Sequence, residues 1–180
     1  MSHFAKTFLF ILTCAVLLPC TALLQPVFAE TQASKRRKIT ITITTHLGDH
    51  QTFREGDEVS FLLNLDRDAY VLLIYETAAG DLVQIVPNRH EPQAFYPAGL
   101  FMPLPDRTAP FRFKIEAPFG EEKIWAFATD IPFPELEEKT MDKGLKLLAL
   151  NLKVIRNQIL SGKVGAFGET VLLIFSKPSD

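Results

Sequence analysis

The sequence predicts a mainly β protein: a two-layer antiparallel β-sandwich carrying one amphipathic helix in its C-terminal half, before the last strand. Three observations predict it. Apolar and polar residues alternate with period two in several short runs, and clusters of Gly, Pro, Asn and Asp separate those runs. A single late stretch switches to the 3–4 spacing of a helix.

Taken in order, Ile39-Thr40-Ile41-Thr42-Ile43-Thr44 sets three isoleucines on one strand face and three threonines on the other. Leu47-Gly48-Asp49-His50 supplies turn chemistry. In the next run Val59, Phe61, Leu63 and Leu65 occupy the odd, apolar positions of a second strand. After Asp66-Arg67-Asp68, the run Tyr70-Val71-Leu72-Leu73-Ile74-Tyr75 is apolar throughout, which predicts a strand covered on both faces. Ala78-Ala79-Gly80-Asp81 turns the chain into Leu82-Val83-Gln84-Ile85-Val86, the return strand of a hairpin.

Prolines at 87, 92, 97, 103, 105 and 110 remove amide donors too often for a regular ladder, so this stretch reads as a long loop with one short edge strand near Leu100. Phe111-Arg112-Phe113-Lys114-Ile115 and Lys123-Ile124-Trp125-Ala126-Phe127-Ala128-Thr129 are two further strands. Trp125 and Phe127 share a face opposite Ile124, Ala126 and Ala128, and packing between layers is the reading favoured for both faces. Leu145, Leu148, Leu152, Ile155 and Ile159 then form a helical stripe ended by Ser161-Gly162. Val171-Leu172-Leu173-Ile174-Phe175 is the final buried strand. Seven or eight strands with turn signals between them fit the immunoglobulin-like class of sandwich, as one domain over 39–177.

Residues 1–29 read as a secretory signal peptide. Lys6 precedes the apolar run Phe8-Leu9-Phe10-Ile11-Leu12, small or aliphatic residues stand at Val27 and Ala29, and the first carboxylate is Glu30. Pro19 and Gln25 interrupt the stretch, which argues against a retained anchor, and Pro19 before Cys20 argues against a lipidation site. A periplasmic or secreted location follows, with no transmembrane segment once the leader is removed. Both cysteines, Cys14 and Cys20, fall inside the leader, so a mature chain has neither disulfide nor thiolate chemistry. Its 18 cations and 21 acids (19 − 1 and 21 − 0) leave a charge of −3, an ordinary soluble balance that argues against nucleic-acid binding. The run Lys35-Arg36-Arg37-Lys38 belongs to a segment, 30–38, read as a basic, solvated tail.

Catalytic chemistry is unsupported, and neither a catalytic residue nor a cofactor is assigned. The sequence has no Gly-x-Ser-x-Gly, Ser-x-x-Lys or His-Glu-x-x-His motif and no phosphate-cradling glycine loop. Asn64, Asp66 and Asp68 match the first three ligand positions of an EF-hand loop, but Ala69 and Tyr75 stand where glycine and a bidentate glutamate are needed. The aspartates are read instead as polar turn residues, and no metal ligand is assigned. His46 and His50 lack a third zinc ligand.

Three segments in order, Gly56-Asp57-Glu58-Val59 continuing to Asp66-Arg67-Asp68-Ala69-Tyr70-Val71, Gly80-Asp81-Leu82-Val83-Gln84-Ile85-Val86-Pro87-Asn88, and Ala117-Pro118-Phe119-Gly120-Glu121-Glu122-Lys123-Ile124-Trp125-Ala126, resemble the bacterial domain of unknown function 4384 (DUF4384). Ala69 replaces the glycine usual in that pattern. The resemblance implies an accessory module of exported or envelope-associated proteins rather than an enzyme. It also implies that the polar triplet is a structural joint between strands. The expected function is therefore a non-catalytic binding module for a protein or an envelope polymer, with Asp66, Arg67, Asn88, Arg89, His90 and Glu121 as the partner-binding candidates. Two alternatives are a cell-wall carbohydrate hydrolase using Glu121 with another loop acid, and a calcium-stabilised module using Asn64, Asp66 and Asp68.

Overall fold

A computed structural model describes residues 36–180, apart from positions 93 and 143. The leader expected over 1–29 lies outside the described residues, as does the part of the tail before Arg36. Where the tail is described it is not wholly free of the fold. Arg37–Lys38 form a short strand, β1, whose side chains remain exposed.

The smaller layer comes from the first alternating runs. β2 (Ile41–Thr45) pairs antiparallel with β5 (Phe61–Leu65), Ile41 opposite Leu65 and Thr45 opposite Phe61. β9 (Met102–Leu104) joins the other edge of β5. Between these strands lie β3 (Thr52–Arg54) and β4 (Glu58–Val59), and β4 forms a two-stranded ladder with β10 (Phe113–Lys114). Period-two alternation turns Ile41, Ile43, Phe61, Leu63 and Leu65 to one side, where all are buried.

The larger layer contains β6 (Ala69–Glu76), β7 (Leu82–Val86), β8 (Phe95–Tyr96), β11 (Glu121–Thr129), β12 (Glu138–Asp142), β13 (Leu145–Leu148) and β14 (Ala166–Lys177). Its order is β1-β14-β11-β6-β7-β13-β12, with β3 also on β14 and β8 also on β6. β11 runs antiparallel between β6 and β14, so Trp125 stands opposite both Ile74 and Val171. Val71, Leu73, Ile124, Ala126, Leu172 and Ile174 face the smaller sheet and complete the inter-layer core. Each fully buried Val, Leu or Ile side chain there contributes about 1.5–3 kcal/mol. The sheets thus form the sandwich that the period-two runs predict.

The opposite face of the large sheet carries α1 (Leu152–Ser161). Ile155 and Ile159 pack over Leu72, Ile74 and Phe127, forming a second core cluster. This is why Tyr70 to Tyr75 reads as apolar throughout: Val71 and Leu73 face one layer, Leu72 and Ile74 the other.

The helical stripe expected from Leu145 onward is corrected at its start. Residues 145–148 are the strand β13, and the helix begins at Leu152. Gly144, at φ +86°, turns β12 back on β13, while Lys146 and Leu147 pair with Gln84 and Val83 of β7. Three-residue spacing puts two strand positions on opposite faces, so Leu145 packs toward the inter-layer core and Leu148 toward the helix. Asn151 then caps α1, its side chain accepting from the Val154 amide at 3.0 Å. The proline-rich stretch holds two short strands, β8 and β9, rather than one, and only Phe113–Lys114 of the run 111–115 enter a ladder. β14 begins at Ala166, five residues before the expected start at Val171.

Candidate functional site

The six candidates chosen from the sequence do not form one surface. Glu121 opens β11, two residues before Lys123, which pairs with Glu76 at the far end of β6. Asp66 and Arg67 precede the near end of β6. Seven residue steps along that strand separate the two groups by about 23 Å. Glu121 is exposed and forms an ion pair with Lys123 at 3.4 Å.

The Asp-Arg-Asp triplet ties two neighbouring segments to the β5–β6 turn. Asp66 accepts from the Thr40 amide at 3.0 Å and from Arg67 Nε at 3.4 Å. Its own amide donates to Thr40 O at 3.1 Å. Asp68 accepts from the Ala98 amide at 2.8 Å, on the proline-rich stretch, and the Gly99 amide donates to Leu65 O at 3.0 Å. The two carboxylates thus hold different pieces of backbone. Among the described residues no group of three or more His, Cys, Asp or Glu side chains is placed to hold a metal ion.

Asn88 is a buried structural hub. Its Nδ2 donates to Ile85 O at 2.7 Å, and its Oδ1 accepts from the amides of His90 at 2.7 Å and Glu91 at 2.9 Å. Arg89 and His90 are exposed beside the hub, with the His90 ring 5.2 Å from that of Phe111. Nearby, the buried Tyr96 hydroxyl donates to Glu91. Burial first, and then the carboxylate, raise that phenol above its ordinary range.

A groove of about 630 Å³ opens on the helix-bearing face of the large sheet. Leu72 and Gln84 form part of its floor. Pro87, Pro92, Ala94 and Phe95 make one wall, and Pro132-Phe133-Pro134-Glu135-Leu136 make the other. Antiparallel pairing sets Tyr70 beside Phe95, and their rings meet edge to face at 4.9 Å. Phe95 is nevertheless 51% exposed. Gln84 is buried and its Nε2 donates to Pro87 O at 2.7 Å, which fixes the amide's orientation. Lys146 lies between Glu135 and Glu138, at 3.2 and 3.5 Å. The β6–β7 ladder ends at Leu73 and Val86, next to a register irregularity between Leu73 and Ile74, and β8 pairs instead with Ala69 and Tyr70.

Sequence reasoning missed these groove residues. The available signals were Phe95 within the proline-rich stretch and the Pro132-Phe133-Pro134 run, whose aromatics interrupt segments too rich in proline to be ordinary core strands.

The three segments that carry the resemblance lie on β4 to β6, on the β7 hairpin with its Asn88 hub, and on the turn into β11. The family model of a domain of unknown function, DUF4384, matches residues 52–132. That stretch is a DUF4384 domain. No significant match joins the chain to a curated protein or to a solved structure. The DUF4384 stretch runs from β3 through β11, and so supplies most of the inter-layer core and the Phe95 wall of the groove. The facing wall from Phe133 to Leu136, Lys146, the helix and β14 come from the residues that follow it. Among the described residues no helix is long and apolar enough to cross a membrane.

Proposed function

We propose that the chain is an exported, non-catalytic module that recognises a protein or a component of the cell envelope, and that it does so through the groove between Phe95 and Phe133. One observation carries this reading: a concavity of about 630 Å³ keeps an aromatic ring half-exposed above a buried, oriented amide. Ligand sites typically combine such apolar walls with a few fixed polar groups, in volumes of about 300–1,000 Å³. Export rests on the leader pattern of residues 1–29. The resemblance to accessory modules and the lack of a catalytic motif favour recognition over turnover.

Affinity capture from an envelope extract tests the reading. Material retained by the wild-type chain is expected to be lost with the double variant Phe95→Ala/Phe133→Ala, and retained with Phe101→Ala, an exposed ring outside the groove. Equal retention by the double variant would remove the groove from consideration.

A further inference from the structure

We infer that the groove accepts a neutral oligosaccharide, an inference that rests on the groove being the binding site. The first support is the platform. Tyr70 and Phe95 meet with an interplanar angle of 60°, which leaves Phe95 exposed in the wall, while Phe133 stands half-buried in the wall opposite. The C–H faces of a pyranose ring lose water favourably against such aromatic surfaces, and the sugar's hydroxyls remain free to reach polar groups at the rim and floor.

The second support is the backbone chemistry of the walls. Pro87, Pro92, Pro132 and Pro134 line both sides, and none has an amide hydrogen. An extended peptide added as a strand needs amide donors for its carbonyls, and these walls are poor in them. A sugar chain carries its own donors in its hydroxyl groups, each of which also accepts. The wall composition therefore favours a hydroxyl-rich occupant over a main-chain ladder.

Charge narrows the class. The ammonium of Lys146, the cation that lines the groove, is held between the carboxylates of Glu135 and Glu138. The groove lining holds one acid, Glu135, for that one cation, whose charge Glu135 and Glu138 already balance, which disfavours uronic-acid and phosphate-bearing chains. The buried Gln84 amide, fixed by its bond to Pro87 O, offers the kind of neutral, oriented polar group that distinguishes one uncharged sugar from another.

Titration calorimetry of the purified chain with N-acetylglucosamine, glucose and maltose-series trisaccharides tests this, with a polyproline peptide and an oligogalacturonate as further probes. At least one neutral trisaccharide is expected to bind, about tenfold more weakly to Phe95→Ala and with wild-type strength to Phe95→Trp. Thermal unfolding of each variant shows whether it is folded. If no neutral sugar binds while envelope capture still depends on Phe95 and Phe133, the sugar inference falls and the groove reading stands. Binding of the peptide or the oligogalacturonate in place of the neutral sugars overturns the sugar inference in the same way. If a sugar binds equally to Phe95→Ala, the site lies elsewhere and both readings fall.

Discussion

Gly168 lies directly against the main chain of Ile39: a Cβ added to it would stand 2.3 Å from the Ile39 carbonyl oxygen. The contact sits where the chain leaves β1 on the large sheet and crosses to β2 on the small one, with the Ile39 amide donating to Phe167 O at 2.9 Å. Backbone faces backbone here, so neither side can yield by changing a rotamer. Gly168→Ala is expected to destabilise the fold by about 2–3 kcal/mol in urea unfolding. Gly165→Ala serves as the comparison, because its nearest obstacle is the Asp130 carboxylate at 2.7 Å, a side-chain end that can swing aside at the cost of its bond from the Gly165 amide. Equal losses from the two substitutions would contradict the close-approach account.

Asn88 and its neighbours separate a structural role from an exposed one. Asn88→Ala removes three hydrogen bonds and leaves the Ile85 carbonyl and the His90 amide without their side-chain partner, while the Glu91 amide keeps only its 3.2 Å bond to Asn88 O. A loss of about 2–3 kcal/mol is expected. Arg89→Ala and His90→Ala, both on the surface, are expected to stay within about 0.5 kcal/mol of wild type. Melting curves for the three variants decide the matter, and a neutral Asn88→Ala would refute the hub.

Asp66 gives the fold an acid dependence of defined sign. The Thr40 amide, chiefly, and Arg67 hold its carboxyl below the usual range, against a smaller opposing effect of burial. A carboxylate with a depressed folded pKa stabilises the fold above its unfolded value, about 3.9, and that contribution disappears as the pH falls through the folded value. Asp66→Asn keeps an acceptor oxygen but does not titrate. The stability difference between wild type and Asp66→Asn is therefore expected to be flat above about pH 5 and to shrink below about pH 4. Asp106, lowered mainly by its hydrogen bond from Thr108, has the same sign in both proteins and cancels in the difference. A gap that widens on acidification would reverse the assignment.

Glu122 is the buried acid of the inter-layer core, 1% exposed. Ser176 donates to its Oε1, while Oε2 has no hydrogen-bond partner. Tyr75 lies close enough for burial and the carboxylate together to raise its phenol above the ordinary range. Ser176→Ala is expected to cost about 2–3 kcal/mol, since it removes a donor to the buried Glu122 Oε1 and the acceptor of the Gly120 amide, which donates to Ser176 Oγ at 3.1 Å. In a Glu122→Met background the same change loses only the Gly120 contact and is expected to cost about 1 kcal/mol less. A double-mutant cycle reads the coupling, and additive losses would show that Ser176 acts independently of Glu122.

The sequence carries the sandwich plainly because its strands repeat with period two around residues that do become core. Ile39, Ile41 and Ile43 are buried, as are Val59, Phe61, Leu63 and Leu65. The boundary of α1 is illegible for a physical reason. Leu145 and Leu148 fit a helical stripe and also fit opposite faces of a strand, and only the partner strand β7 and the Gly144 turn choose between them. The groove is illegible because its two walls are separated in sequence by the whole of β11 and meet only where β6 and β7 part. Asn88 was legible as special but not in role, since a turn hub and an exposed contact residue share the same polar side chain.

The parallel pairing of β1 and β3 with β14 makes this an architecture that closes from its finish. Arg37 lies beside Ala166, and Thr52 beside Phe175. A ribosome must deliver the fourteenth strand before the first and third find the edge they occupy. Until then, β1 and β3 lack the strand they pair with, and truncation before Ala166 takes away the dock for both at once.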